Sequence, residues 1–364
     1  MTRPYNFAPG PATIPEEVLR IAQAEMLDWR GLGISVMELS HRTEIFPQFL
    51  LDLENKLRKL MNIPNNYKVL FLPGGAQGQF AAIPMNLTKN NREADYFATG
   101  IWSDRAVGYA KKYCNVNLVT QATKAGNGVK AAIPDKATWR LNPDAAYAYY
   151  CPNETVNGIM FKEVPQVGSV PLVADWTSSI ASTVIDVNDF AVIFASAQKN
   201  LGQAGVTLVI VRDDLTELEQ DITPPLWSYR LQAQEKSCVN TPPVYAIYIM
   251  DLMVDWLERQ GGVSAIEAIN RRKAQKLYAC IDNSNGFYTN PVDKDYRSLI
   301  NVPFDLPNKE LLNKFFIAAK DAGLEYLTGH FLVGGARASL YNAMPEAGVD
   351  VLVSFMQSFA TQHG

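Results

Sequence analysis

Apolar residues along this chain occur in short continuous runs that alternate with stretches of helical spacing. Residues 13–16 have the pattern of a capping box, which predicts a helix that extends to about Trp29. Apolar residues three and four positions apart between Phe46 and Leu60 predict a second helix. The continuous runs predict strands at 69–72, 94–99, 117–120, 145–150, 172–175, 191–195 and 206–211, with helices at 78–87 and 104–113. This alternation favours an α/β fold in which helices sandwich a mostly parallel sheet.

The pattern changes after residue 261. A long helix over 244–260 is followed by Gly261 and Gly262, which are expected to end it. Further helices are expected over 265–282, over 309–322 and after Pro345, with strands over 299–304 and 338–340. We therefore expect a large domain over 16–261 and a smaller α+β domain over 262–364, with the N-terminal segment 1–15 packed near the functional site.

Composition narrows the classes of function. The chain has 364 residues, a formal net charge of −4 and 48% hydrophobic residues, which argues against a nucleic-acid partner. No apolar run approaches the roughly 20 residues that span a bilayer. The N-terminus lacks the apolar region of a secretory signal. The four cysteines are scattered, which favours reduced thiols and a cytoplasmic location. With three histidines and no metal-binding motif, no metal site is expected.

One lysine carries the strongest chemical signal. Lys199 lies in a glycine-rich turn between two apolar runs that read as buried strands, and a buried ammonium is costly unless it is paired. Burial can instead lower the pKa of the amine and make it a nucleophile toward a carbonyl. Asp175 ends another apolar strand about two dozen residues upstream. This pair suggests a pyridoxal phosphate enzyme, in which the lysine holds the cofactor and the aspartate pairs with its pyridinium nitrogen. A surface-loop lysine and an unrelated acid are the alternative.

Other candidates follow neighbouring strands. The glycine-rich stretch 72–79 lies between a strand and a helix, where backbone N–H groups can approach a phosphate. Trp102 could stack on a flat ring, and Thr155 could bind a cofactor oxygen. Arg42, beside His41, and Arg337, which follows two glycines, are suited to bind carboxylate or phosphate. Core packing, an ordinary turn or a solvated side chain would explain each of these residues when it is taken alone.

Several motifs in order resemble a known family. They are 7–12 (FAPGPA), 36–42 (VMELSHR), 151–155 (CPNET), 197–200 (AQKN), 240–243 (NTPP), 335–339 (GARAS) and 340–345 (LYNAMP). Together they cover nearly the whole chain, which resembles the phosphoserine aminotransferases, class V aminotransferases of fold-type I. The resemblance implies a homodimer with shared active sites and pyridoxal 5'-phosphate as cofactor.

The resemblance also implies roles for single residues. Lys199 and Asp175 would be catalytic, and Lys199 would move a proton between the substrate and the cofactor. The cofactor would be held by Ala76, Gln77, Trp102, Thr155, Asp175, Gln198 and Lys199, and by Asn240 and Thr241 reaching the site of the neighbouring subunit. The substrate would be bound by His41, Arg42, His330 and Arg337, of which Arg337 would bind the α-carboxylate.

The implied reaction is a ping-pong amino transfer. Glutamate and 3-phosphohydroxypyruvate would give 2-oxoglutarate and phosphoserine, a step of serine biosynthesis. A phosphorylated four-carbon 2-oxo acid on the route to pyridoxine stays open as a second substrate. The alternatives are an aminotransferase for an unphosphorylated 2-oxo acid, a cysteine desulfurase, a non-enzymatic binding protein with this fold and a nucleotide-binding enzyme. The absence of either phosphate-loop fingerprint argues against the last of these.

Two positions depart from the family pattern. An arginine is expected after Gly329 and His330, where this chain has Phe331, and Gln77 stands where many bacterial members carry arginine. The contact expected at Gln77 is mainly through its backbone, so that change should matter little. At Phe331 a cation is lost near the expected distal-phosphate pocket. The hypothesis is that His41, Arg42 and His330 suffice.

Overall fold

Successive side chains along the strands of the central sheet point alternately to its two faces, and both faces are buried. In a computed structural model, which describes residues 3–126 and 128–364, Ile193 and Ala195 point into one core while Val192 and Phe194 point into the other. Buried on both faces, such strands read as continuous apolar runs, because no position meets solvent. The part of the chain that the structure describes contains the strands β1 (Tyr5–Asn6), β2 (Tyr67–Leu72), β3 (Glu93–Ala98), β4 (Asn115–Gln121), β5 (Tyr147–Tyr150), β6 (Leu172–Asp175), β7 (Val192–Ser196), β8 (Thr207–Arg212), β9 (Asn301–Phe304), β10 (Leu324–Glu325) and β11 (Ala336–Ser339).

Helices cover both faces of this sheet. Within the described residues they are α1 (Glu16–Ala24), α2 (Ile45–Met61), α3 (Gly75–Leu87), α4 (Ile101–Ala110), α5 (Tyr229–Gln234), α6 (Val244–Arg259), α7 (Gly262–Asp282), α8 (Lys309–Asp321) and α9 (Glu346–His363). The apolar spacing of α2 is explained by burial, since Phe46, Phe49, Leu53 and Leu57 all face the core that also contains much of α6.

The sheet order is β2-β8-β7-β6-β5-β3-β4. Strands β3 to β7 pair in parallel with one another, whereas β8 runs antiparallel to both of its neighbours, β2 and β7. The prediction of a mostly parallel sheet between helices is therefore confirmed. Because parallel strands require crossover connections, their carboxyl ends meet at one edge of the sheet, where ligands of such folds bind.

A third core lies in the C-terminal part of the chain. Strands β9 and β11 pair antiparallel, and their apolar side chains pack with α8, α9 and the second half of α7. Phe7 is fully buried in this same core, and β1 pairs in parallel with β10. The segment 8–12 then runs to the large sheet, where the Ala12 amide donates to the Gln198 carbonyl oxygen at 2.8 Å. The domain boundaries at 261 and 262 stay a prediction, and Met1 and Thr2 lie outside the described residues.

Three local predictions were wrong. The expected capping box is not formed, because α1 begins at Glu16 after Pro15 and no side chain caps it. That helix ends at Ala24 rather than near Trp29, whose indole is instead buried in the core against Phe49. Gly261 has a φ of 96° and ends α6 as expected, but α7 begins at Gly262 directly after it.

No helix in the described part of the chain has the length and apolar character needed to cross a membrane. The cytoplasmic location stays a prediction.

Close packing fixes the turn between β2 and α3. A Cβ atom added to Gly78 would lie 2.4 Å from Cη2 of Trp227, and one added to Gly74 would lie 2.6 Å from the same atom. Both distances are far below van der Waals contact. The glycines are therefore required at least in part by the indole ring, and not only by the need for free backbone N–H groups.

We predict that Gly78→Ala destabilises the protein by about 1–3 kcal/mol, because the added methyl group must displace the Trp227 ring. Gly108→Ala is the matched control. Gly108 also lies in a helix, α4, but a Cβ atom there would meet nothing within 4 Å, so this change should stabilise by up to about 1 kcal/mol. Urea unfolding of both variants measures the difference, and equal free energies of unfolding would contradict the packing argument.

Candidate active site

One cavity contains every predicted cofactor residue except Asn240 and Thr241. It lies at the carboxyl ends of β2, β3, β5, β6 and β7, where the chain turns from each strand toward the next element. It is lined by Gly74, Gly75, Ala76, Gln77, Trp102, Cys151, Thr155, Asp175, Thr177, Ser178, Gln198 and Lys199. A larger cavity of about 820 Å³, between the ends of α7 and α9, contains none of the predicted residues. The residues that line a cavity therefore identify the candidate active site better than the volume of the cavity does.

Lys199 is the buried cation of this cavity. It is 7% exposed, and its Nζ donates to Oγ1 of Thr155 at 2.5 Å. Burial lowers the pKa of the amine to about 8, against the opposing effect of the nearby Asp175 carboxylate and with a further small reduction from Arg337. Half of the amine is neutral at that pH, so a nucleophilic form is available near neutrality.

Asp175 is the buried acid of the same cavity. It is 3% exposed at the end of β6, and its Oδ1 accepts a hydrogen bond from the Thr177 amide at 2.9 Å. Burial raises the pKa of this carboxyl, while the Thr177 hydrogen bond and the charge of Lys199 act in the opposite direction. A buried carboxylate gains most from a cation placed directly against it. The geometry thus fits a positively charged ring nitrogen on the cavity side of Asp175.

The first turn of α3 offers donors to an anion. Gly74 is the N-cap residue and Gly75 begins the helix, so the amides of Ala76 and Gln77 belong to the first turn, where backbone N–H groups have no partner within the helix. The helix dipole adds partial positive charge there. Gln198 faces the same turn, and its side chain accepts a hydrogen bond from the Ser196 hydroxyl. Phosphate fits this arrangement.

A buried glutamate holds Trp102 in place. Oε2 of Glu154 accepts from the Trp102 amide at 3.0 Å, and Oε1 accepts from the Ser103 amide at 3.0 Å and the Ser103 hydroxyl at 2.6 Å. A carboxyl group therefore caps the N-terminus of α4, where the helix dipole favours negative charge. Burial raises the pKa of Glu154 to about 7 despite these hydrogen bonds. Sequence reasoning missed this residue, although it lies within the polar motif at 151–155 that marked the strand end.

Arg337 is the buried cation expected to bind a carboxylate. It lies within β11 rather than before it, and its side chain is almost fully buried, with Nη1 donating to the Thr155 carbonyl oxygen at 3.4 Å. Among the described residues its Nε has no hydrogen-bond partner. A buried guanidinium with an unsatisfied donor is costly, and an anionic ligand would remove that cost. His330 is half-buried on the adjoining loop, and its pKa is lowered by burial and by the charges of Arg337 and Arg105.

The structure separates the remaining predicted residues from this cavity. Arg42 is exposed and lines a different groove beside α2 and β2. His41 is half-buried, and its Nε2 has no partner among the described residues. Asn240 and Thr241 are exposed, and the Asn240 amide donates to the Thr241 carbonyl oxygen. Their roles stay predictions.

Fold, cavity and sequence agree on a family. The model of the aminotransferase class-V family matches residues 4–352, which is nearly the whole chain. The chain therefore belongs to the class V aminotransferases.

Individual relatives narrow the comparison from the family to one kind of enzyme. The chain is 51% identical, over 98% of each chain, to a phosphoserine aminotransferase of Hahella chejuensis, and 49% identical, over 100% of each chain, to that of Acinetobacter baylyi. Among solved structures, the phosphoserine aminotransferase of Bacillus circulans subsp. alkalophilus has 41% identity and a TM-score of 0.95, covering 100% of this chain and 99% of its own. The pyridoxal phosphate-bound enzyme of Trichomonas vaginalis has 40% identity and a TM-score of 0.91, covering 98% and 100% respectively. The predicted family and fold are confirmed.

We predict that Glu154 makes stability depend on pH. Its pKa of about 7 in the folded protein lies above the ordinary value of 4.5 for a glutamate, so the folded state binds this proton more tightly than the unfolded chain. Stability should therefore fall as pH rises from about 4.5 to about 7, by at most roughly 3 kcal/mol. Glu154→Gln removes that dependence, and the difference in unfolding free energy between variant and wild type should shift in favour of the variant across this range.

The control for this prediction is Glu163→Gln. Glu163 is exposed and paired with Lys136, which lowers its pKa, so its curve should run parallel to that of the wild type above pH 5. Denaturant unfolding at several pH values measures all three proteins. A Glu154→Gln curve parallel to the wild-type curve would contradict the prediction.

Proposed function

We propose that this chain is a pyridoxal phosphate-dependent transaminase that moves an amino group between glutamate and 3-phosphohydroxypyruvate, a step in serine biosynthesis. The observation that carries the proposal is the pairing of Lys199, an amine with a pKa of about 8, with the buried Asp175 in a cavity at the strand ends. The family of the chain and its similarity over full length to phosphoserine aminotransferases support the choice of substrate.

The cavity residues fit the cofactor part by part. The first-turn amides of Ala76 and Gln77 would take the phosphate, and the Trp102 indole would cover the ring. Asp175 would hold the ring nitrogen protonated, and Thr155 would bind the ring oxygen. Pyridoxal phosphate supplies an aldehyde that condenses with amines and a ring that accepts electrons from the substrate carbon.

Lys199 would have two tasks. Its neutral amine would hold the cofactor covalently before the substrate arrives. With the substrate bound, the Lys199 amine would take the proton from the substrate α-carbon and deliver it to C4′ of the cofactor. A pKa of about 8 suits this exchange, because a group that must both take and give a proton works best when its pKa is near the working pH.

Arg337 would orient the substrate for that proton transfer. Its guanidinium is buried beside Thr155, whose hydroxyl also contacts Lys199, so a carboxylate bound to Arg337 would place the α-carbon close to the amine. A bidentate pair with the carboxylate would fix this orientation and satisfy the free Nε.

The active unit would be a homodimer. Arg42, Asn240 and Thr241 are exposed, and none of them lines the cavity of their own chain. The charge of Arg42 acts on Cys238, two residues before Asn240, so the two predicted segments share one surface region. That surface would complete the site of the partner, with Asn240 and Thr241 at the cofactor phosphate and His41 and Arg42 at the substrate.

The alternatives remain distinguishable. An aminotransferase for unphosphorylated 2-oxo acids would accept alanine or serine but not phosphoserine, and the four-carbon pyridoxine precursor would be a second phosphorylated substrate.

A desulfurase needs a nucleophilic thiol, but burial raises the pKa of both Cys151 in the cavity and Cys280 in α7. Neither thiol therefore supports desulfurase chemistry. A non-enzymatic binding protein would not need the Lys199 and Asp175 pair.

We predict that the purified protein shows a visible cofactor band that shifts to the pyridoxamine form when phosphoserine is added. Lys199→Ala should abolish steady-state turnover while leaving a folded protein, because no other group would move the proton. The absorption spectrum and a coupled assay measure both. Turnover retained by Lys199→Ala would remove the lysine from its role. A band that shifts with glutamate but not with phosphoserine would contradict only the phosphorylated substrate.

We also predict a small effect of Phe331→Arg. Phe331 is 82% exposed beside His330, so the cation missing at this position leaves no buried gap. If other cations already bind the phosphate, the variant should raise kcat/KM for phosphoserine by less than about tenfold, which is less than the gain expected from one full charge-assisted hydrogen bond. A larger gain would mean that Phe331 leaves the phosphate pocket short of charge.

A further inference from the structure

Arg105 is a cation of this site that has no assigned role. It lies in the first half of α4, one turn after Trp102, and its guanidinium carbon lies 4.9 Å from the centre of the Trp102 ring. Trp102 in turn lines the cavity that contains Lys199. The Arg105 guanidinium therefore lies against the Trp102 ring, which forms part of the cavity wall, and Glu154 holds the backbone amide of Trp102.

The charge of Arg105 has no counterpart in the described chain. Within residues 3–126 and 128–364, no carboxylate oxygen lies within 4.0 Å of its nitrogens, although ion pairs are common elsewhere on the surface. Its positive charge and that of Arg337 both act on His330. The guanidinium groups of Arg105 and Arg337 therefore lie near enough to His330 to disfavour its charged form. The charge expected from the residue after His330 is missing, because that residue is Phe331.

The two arginines differ in depth. Arg337 is 4% exposed and contacts Thr155, whereas Arg105 is half-buried over the ring of Trp102. A substrate with two anionic ends would place one at the buried guanidinium and the other nearer the opening. Stacking on an indole pre-organises a guanidinium, so little side-chain entropy is lost when it binds an anion.

We propose that Arg105 binds the distal phosphate of the substrate and supplies the positive charge that Phe331 does not. This assignment rests on the proposed function, since it concerns the same active site. It makes Arg105 a residue that determines specificity for phosphorylated over unphosphorylated substrates. Arg337 would then orient the reacting end of the substrate, and Arg105 would recognise the other end.

The test uses the cofactor-loaded protein and two ligands that cannot react. Calorimetry measures the Kd of 3-phosphoglycerate and of glycerate, which differ only in the phosphate. Arg105→Gln should weaken 3-phosphoglycerate roughly 10- to 100-fold and change glycerate less than about twofold, as expected for one lost charge-assisted contact. Arg105→Lys, which keeps the charge without the planar fork, should lie between the wild type and Arg105→Gln.

Lys111→Gln is the matched control, because Lys111 is an exposed cation that follows the same helix. It should bind both ligands as the wild type does. The proposal is overturned if Arg105→Gln binds 3-phosphoglycerate like the wild type. It is equally overturned if both ligands weaken together and the cofactor band changes, since Arg105 would then only support Trp102.

The same measurements separate this inference from the proposed function. A wild-type protein that binds 3-phosphoglycerate no better than glycerate, and whose cofactor band does not respond to phosphoserine, would refute the phosphorylated substrate itself. A wild type that prefers the phosphorylated ligand, together with an Arg105→Gln variant that keeps the preference, would refute the role of Arg105 alone.

Discussion

The burial of one lysine in a polar cavity is the constraint on which the rest of this site depends. An ammonium removed from water is unfavourable unless other groups compensate, and the carboxylate of Asp175 and the hydroxyl of Thr155 compensate only in part. The result is an amine that gives up its proton easily. A sheet edge formed by strands buried on both faces can hold this unfavourable group, because the two cores on either side fix the strands that carry it.

Support for the site comes from a shell of residues that do not line it. Glu154 fixes the start of α4 through three hydrogen bonds and thereby sets the position of Trp102. Asn200, next to Lys199, accepts a hydrogen bond from the Asn342 amide at 3.0 Å and so ties the lysine turn to the C-terminal part of the chain. The groups in the cavity are thus positioned by contacts between distant parts of the sequence, which is how a buried polar site is kept rigid.

The sequence predicted those features that leave a periodic apolar pattern or place a charged residue at the end of an apolar run. β6 has the predicted bounds because it is a short apolar run that ends in a charged residue, and Lys199 was found because its turn separates two such runs. The pair β1 and β10 was missed, since two residues per strand leave no pattern and the pairing depends on tertiary contact. Glu154 and Arg105 carried no signal either, because a charged residue in a polar segment reads as solvated until its neighbours in space are known.

The contact of Trp227 with Gly74 and Gly78 links positions that are far apart in sequence. The shape of the turn between β2 and α3 is set in part by an aromatic ring outside the cavity, and the ring can occupy its place only while both positions lack a side chain. The residues tolerated at positions 74, 78 and 227 therefore depend on one another. In a lineage where the indole is replaced by a small residue, Gly78 loses its steric reason, whereas Gly74, with a φ of 96°, is still favoured by its left-handed backbone. A lineage that keeps the indole must keep both glycines, whatever substrate it has come to use.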